Sequence, residues 1–305
     1  MEKSINSALK KAKRKQLLKI TLISAIIVLI MLPVFWYTGN YFASRNSTKL
    51  FAELDLYHAV AAPNIQIDSQ VLRDSTMFGG NIVTNRSKNI NGYLVPWSTL
   101  TNSYNWFTYE IDINEIIPRY HKAKNAQYEY DKQTKNKVAT FYHPLNKNYF
   151  DGVINELEEI SQMENYVAEV AISFDKPYRF SEIEKQIPQN LNIVWIYVTS
   201  QIADENNGPL GLPVYGFQLH DPAEIEPAYK SFVESLEKYN KHGDIEAINE
   251  FFKENKDKPF KEVEILGVML TGRTENFRAL MGKDFIRGAS VGATAPIVPY
   301  IAPDK

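Results

Sequence analysis

The chain has 305 residues, 44% hydrophobic and 12% aromatic, with 34 Lys and Arg against 36 Asp and Glu for a formal charge of −2, and no cysteine. The lack of cysteine excludes thiolate metal sites, redox disulfides and a cysteine nucleophile, and it fits a bacterial surface protein, since an exported domain of this size can build a core without disulfides. Charge is uneven: residues 1–19 hold seven Lys or Arg against Glu2, a net +6, which leaves −8 for residues 20–305 and argues against nucleic-acid binding there.

Residues 1–19 form a basic arm. Ser4 is placed to cap a helix running into the next segment, and Ala8, Leu9, Ala12, Leu17 and Leu18 give it only a weak apolar face. Such an arm either sets topology by binding lipid headgroups or docks a cytoplasmic partner. Lys11, Lys13, Arg14 and Lys15 are the candidate contacts in either case.

Residues 20–37 are uncharged, and the uncharged run continues to Ser44. Eighteen helical residues span about 27 Å, close to a bilayer's hydrocarbon core. Pro33 is tolerable near the end of a membrane helix, and Trp36 and Tyr37 stand where an interfacial aromatic belt belongs. The basic arm puts the N-terminus in the cytoplasm and the rest outside. Tyr41-Phe42-Ala43 is a poor signal-peptide cleavage site, so the segment reads as an uncleaved, single-pass anchor.

Residues 38–62 are expected to comprise a short polar stem, 38–49, and a juxtamembrane helix over 50–62. Leu50, Phe51, Leu54, Tyr57, His58 and Ala61 recur at helical spacing there, and Pro63 closes it. Residues 63–148 read as β-rich, with strands at 65–67, 82–84, 93–95 and 106–113 between Gly79-Gly80, Asn91-Gly92 and Pro96. On the last, Phe107, Tyr109, Ile111 and Ile113 form the expected core face. Residues 121–137, rich in Lys, Asn and Gln, read as an exposed loop.

Residues 149–305 read as one α+β domain. A helix stripe of Phe150, Val153, Ile154, Leu157 and Ile160 opens it, and a strand covers 166–174. Ser181 to Glu184 looks like a capping box. A strand at 191–199 sets Trp195 and Tyr197 on one face with Ile193. A loop over 201–216 contains Asn206-Asn207-Gly208-Pro209. Helices follow at 222–240, with Asp221 capping and Pro222 at the first position, and at 244–254. Then come a strand at 263–270, a short helix capped by Thr274 with Phe277, Leu280 and Met281, and a strand at 285–294 before a proline-rich tail. Strand, short helix, strand thus occurs twice, which makes a roughly four-stranded sheet covered on one face.

No catalytic constellation emerges, and the chain reads as a non-enzyme without metal or cofactor. Gly288-Ala289-Ser290-Val291-Gly292 matches G-x-S-x-G, but no His follows it and Pro296 blocks the helix that a nucleophile elbow needs. His58, His121, His143, His220 and His242 have no ligand spacing and read as surface or loop residues. Glu158 and Glu159 lie on the solvent side of their helix. The turn at 270–274 could cradle an anion on its N–H groups but lacks a phosphate-binding lysine.

Several stretches resemble the bacterial sigma factor regulator family. Residues 8–18 are similar to its N-terminal module, and residues 63–64 and 88–93 to its linking region. Residues 170–178, Trp195, 270–277 and 289–294 are similar to its C-terminal module. The family-like positions are Ser173, Phe174, Trp195, Thr271, Gly272, Asn276, Ser290 and Gly292. The resemblance implies a membrane-anchored regulator of an extracytoplasmic-function sigma factor, as in bacilli and related Gram-positive bacteria, whose outer part reports envelope state. The arm is shorter than the segment that usually holds a sigma factor. Either it contacts the sigma factor directly or a second small membrane protein does so. The other reading is an anchored extracellular binding or assembly module with no sigma factor contact. Membrane lipid is an expected partner and homo-oligomerisation is left open.

Overall fold

The computed structural model describes residues 2–122, 124, 126–146, 149, 152–202, 211–241 and 243–305, with side chains from Ile5 onward. Phe150, the run Asn206-Asn207-Gly208-Pro209, His242 and the side chain of Ser4 lie outside the described residues. The fold is mixed: a long apolar N-terminal helix, a β-rich region, then an α+β domain. The chain divides into two compact units, one of Met1–Leu50, Leu72–Ile82 and Asn102–Ile111, the other of Phe51–Val71, Val83–Thr101 and Asp112–Lys305.

One helix, α1 (Glu2–Ala61), carries the arm, the apolar run and the segment expected to be a polar stem. Residues 5–38 are exposed along its whole length, and it is long and apolar enough to cross a membrane. Residues 38–49 are therefore helical, contrary to expectation. Gly39, Ala43, Asn46, Ser47 and Leu50 recur every three or four residues and are buried, so tertiary packing supports the helix where composition does not. Their polar atoms are satisfied: Asn46 Nδ2 donates to the carbonyls of Asn105 (2.8 Å) and Trp106 (3.1 Å), and Ser47 Oγ donates to Ser44 O (2.8 Å).

Strands β1 (Gln66–Thr76), β2 (Gly79–Ile90) and β3 (Tyr93–Asn105) form a sheet in that order, each longer than the apolar runs that announced it. Asn91 (φ 54°) and Gly92 (φ 90°) make the two-residue turn between β2 and β3. Residues 106–113 are not a strand. Asn105 Oδ1 accepts from the N–H groups of Phe107 (2.8 Å) and Thr108 (3.0 Å), a side-chain turn that ends β3 and turns Phe107 outward. The supposed loop at 121–137 contains β5 (Ala126–Asp131) and touches β4 (Ile116–His121) and β6 (Lys137–Val138), the three strands of a second sheet. Its polar composition hid buried alternate positions such as Ala126 and Tyr128.

The C-terminal sheet has five strands: β7 (Tyr166–Arg179), β8 (Asn192–Ser200), β9 (Val214–Gln218), β10 (Glu264–Arg273) and β11 (Ile286–Pro296). Their order is β11-β7-β10-β8-β9, with every neighbouring pair antiparallel. The fifth strand, β9, begins inside the expected loop at 201–216, where Gly211 and Gly216 masked it. Gly216 is required there, because a Cβ would meet Ile196 O at 1.9 Å. The expected helix at 149–160 shrinks to α2 (Leu157–Ser161), since Asn155 bridges to Ala289.

The short helix α3 (Phe180–Ile183) is capped at Arg179, whose N–H donates to Glu182 Oε2 (2.8 Å), so Ser181 is not the cap. Asp221 caps as expected, accepting from Ala223 N (2.9 Å) ahead of α4 (Ile225–Asn240) and α5 (Glu246–Asn255). Thr274 opens a 3-10 turn but its hydroxyl donates to Met163 O (2.7 Å) instead of capping. One sheet face packs Phe174, Phe217, Phe232, Ile248 and Phe277 in the main core. The other is covered too, by Phe141 on Trp195, Tyr197 and Met269, so single-face coverage is corrected. A bulge at Val194, between the pairs Met269–Trp195 and Leu270–Ile193, turns Ile193 toward the main core, away from Trp195.

Candidate functional site

The second unit contains a buried polar node. Glu169 lies in β7, within the mostly apolar run Val167 to Phe174, with no exposure. Lys88 Nζ donates to its Oε1 at 2.6 Å and Asn64 Nδ2 to its Oε2 at 2.9 Å. Ala293 N–H adds a longer bond at 3.2 Å, directed there by the register shift between Val291 and Thr294. The Lys88 ammonium also lies 4.3 Å from the centre of the Trp97 ring. Gly292 makes the approach feasible, because a Cβ there would stand 2.4 Å from Glu169 Oε1.

Local sequence explains how each group reaches the node. Pro63 ends α1, and Asn64, three residues past the helix, takes the left-handed conformation (φ 54°) that Asn tolerates. On β2 the alternate residues Ile82, Thr84, Arg86, Lys88 and Ile90 are all buried, so two cations share one strand face. Arg86 donates from Nε and Nη2 to Ser98 O (2.8 and 2.7 Å) and pairs with Glu115. At the turn beyond Ile90, Asn91 Oδ1 accepts from Asn192 Nδ2 (2.9 Å) and Lys305 N (3.1 Å), and its Nδ2 donates to Lys305 O (2.7 Å).

His58, in the last turn of α1, is buried and lies neither on the surface nor in a loop as expected; His143 lies in a loop, as expected, and is buried there. The Nδ1 of His58 lies 2.7 Å from Leu54 O, and since a carbonyl only accepts, Nδ1 carries the proton and leaves the buried Nε2 without a partner. Burial lowers its pKa to about 4, opposed by the bond to Leu54 and reinforced by the Arg86 guanidinium. Burial also raises the Tyr57 hydroxyl, with Glu115 adding to it. On β5, burial raises Glu129 to about 7, the Gly211 N–H pulling the other way.

The eight family-like positions mostly serve packing. Phe174 and Trp195 are fully buried, Ser173 Oγ accepts from Tyr142 N–H (2.8 Å), and Asn276 Nδ2 donates to Asn190 O (3.0 Å). Gly272 fits beneath Leu191, whose Cδ2 would lie 2.4 Å from a Cβ. Thr271 and Ser290 are buried hydroxyls without a partner, inside β10 and β11. Ser290 thus sits mid-strand and not on an elbow, and the N–H groups of 270–273 lie in a paired strand, which removes the anion cradle. Only Gly292 belongs to the node. Lys11, Lys13, Arg14 and Lys15 are exposed on α1, where Lys11, Arg14 and Lys15 share a face and Lys13 points away.

Sequence reasoning missed Glu169 and Arg86, and the burial of Asn64 and Lys88. One readable signal existed: a lone acid inside an apolar strand, which is stable only with a buried partner.

Two family models match the chain: Sigma factor regulator N-terminal over residues 6–95 and Sigma factor regulator C-terminal over residues 157–293. No curated protein matches it, and no solved structure does. Asn64 and Lys88 lie in the first match and Glu169, Gly292 and Ala293 in the second, so the node joins the two modules. With both modules present in order over most of its length, the chain belongs to the sigma factor regulator family.

Proposed function

We propose that this sigma factor regulator is anchored in the membrane by residues 20–37, with the arm of residues 1–19 in the cytoplasm and everything beyond α1 outside. It is a signalling protein and not an enzyme: the outer region registers envelope state, and the helix carries that state to an extracytoplasmic-function sigma factor or to a membrane partner that holds one. The observation behind this reading is the continuity of α1 from the arm to Ala61, with Asn64 just past its end bonded to Glu169 in β7. An event that loosens the node removes one of the contacts that hold the end of the helix, beside the apolar packing of Val60 and Ala61. Within the arm, Lys11, Arg14 and Lys15 form the inner contact surface, available to acidic lipid or to an acidic protein face.

The test is recovery of partners from native membranes with tagged full-length protein, with and without exchange of residues 1–19 for an unrelated sequence of equal charge. A sigma factor recovered with the native arm and lost on exchange supports direct inhibition. Another small membrane protein recovered without a sigma factor makes this chain the sensing half of a pair. Partners and sigma-dependent transcription unchanged by the exchange reduce the arm to a plain anchor and overturn the reading.

A further inference from the structure

The first unit carries an aromatic cluster at the C-terminal end of the apolar run. Phe35 meets Trp106 edge-on at 5.2 Å and Phe78 at 6.3 Å, and Phe78 stacks on Trp106 at 5.3 Å. Phe107 continues the cluster at 6.4 Å from Trp106. The cluster is open to its surroundings: Phe78 is 55% exposed and Phe107 90%, beside Trp36 at 61% and Tyr37 at 71%.

These exposures are built and not frayed. Phe78 tops the turn between β1 and β2, where its N–H donates to Thr76 Oγ1 (3.2 Å) and that hydroxyl donates to Gly79 O (3.1 Å). Phe107 is held outward by the Asn105 side-chain turn. The Trp106 Nε1–H is satisfied by Met77 O, leaving an apolar ring face. Gly39 admits that ring against α1, for a Cβ there would lie 2.6 Å from Trp106 Cζ2. Neither turn, Thr76–Gly79 or Asn105–Thr108, contains a charged residue. Phe35 and Gly39 are one helical turn apart, about 6 Å along the axis, at the level where the apolar run ends.

Large, uncharged, exposed aromatic groups at that depth match the bilayer interface, where Trp and Tyr rings are favoured and apolar Phe rings enter the headgroup–acyl boundary. We propose that Phe78, Trp106 and Phe107, with Phe35, Trp36 and Tyr37 of α1, form a lipid-binding collar seated in the bilayer interface at the C-terminal end of the span. The collar rests on the reading of residues 20–37 as a membrane span. Its occupant is lipid, because the cluster continues the exposed apolar surface of α1 with no charge in between.

The absence of native cysteine permits single-site labelling of the full-length chain. A fluorophore is attached at Phe107→Cys, at Phe78→Cys, at Leu29→Cys within the span and, as a control far from it in sequence, at the exposed Lys185→Cys. Each protein is reconstituted into phosphatidylcholine–phosphatidylglycerol vesicles containing lipids with a nitroxide near the headgroup or deep in the chain. The expected result is strong headgroup-nitroxide quenching at 107 and 78, deep-nitroxide quenching at 29, and none at 185. Quenching at 29 but not at 107 or 78 overturns the collar and leaves the span intact. No quenching at 29 removes the span, and the collar with it. Unquenched labels at 107 and 78 that are also shielded from aqueous iodide show a protein occupant, such as a second copy, and overturn the proposal. Phe107→Asp supplies a second measurement: it should lower quenching of the label at 78 by about half, since a charge is costly in that layer.

Discussion

Lys88 and Glu169 are 81 residues apart in the chain, yet Nζ and Oε1 lie 2.6 Å apart with both side chains almost wholly buried. A buried ion pair contributes little net stability over a well-packed apolar pair, but it is costly to break, because the surviving charge is left without water or partner. Such a pair fixes which surfaces meet: here β2 meets β7, an inner strand of the C-terminal sheet.

Lys88→Met should therefore destabilise the second unit by roughly 3–5 kcal/mol, by leaving Glu169 with only Asn64 and the Ala293 N–H. Lys88→Met with Glu169→Leu should recover most of that loss. Denaturant unfolding of the full chain in detergent, followed by tryptophan fluorescence, measures both. A double variant no more stable than the single one would show that the pair is not the dominant contact.

Gly292→Ala places a methyl group 2.4 Å from Glu169 Oε1 and cannot be accommodated without moving the carboxylate. A loss of about 1–3 kcal/mol is expected, the range for overpacking a buried site. Gly152→Ala is the control for a glycine with no neighbour within 4 Å, and only its positive φ should matter.

His58 gives the second unit a defined acid response. The unfolded ring takes up its proton near the ordinary value of 6.5, whereas the folded ring does so only near 4. The unfolded state thus binds more protons in that window, and stability falls as pH drops from 6.5 to 4. The shift corresponds to about 3 kcal/mol. His58→Gln keeps a donor for Leu54 O and should remove this part of the acid loss, while His143, held down to about 4 by burial, keeps a similar part of its own. Melting temperatures of both proteins across that pH range provide the check.

Glu129 acts with the opposite sign. Its carboxyl is raised from 4.5 to about 7, so the folded state holds the extra proton and stability is lost as pH rises through that window. Glu129→Gln should be more stable than the parent at pH 8 and nearly equal to it at pH 4. A variant with no gain at alkaline pH would mean that the carboxylate is already well solvated when folded.

The legible parts of this fold share a cause. The uncharged run from Ile20 to Ser44, the Asp221 cap, the stripes of α4 and α5 and the strands β7, β10 and β11 are written in local spacing and local chemistry. The site was legible only in fragments: residues 88–93 drew notice as a family-like stretch, but neither the burial of Lys88 nor its partner could be read from it. The segment at 106–113 shows the converse, where clean alternation loses to the Asn105 turn.

By itself the sequence determined the apolar helix, the charge asymmetry across it, the α+β class and the family, because periodicity, capping and composition act within a few residues. Tertiary structure alone decided that α1 runs unbroken to Ala61, that β9 adds a fifth strand, and that Lys88, Arg86, Glu169 and His58 are buried. The stability of a charge or a weak helix away from water depends on partners supplied from distant parts of the chain, and no local pattern encodes them.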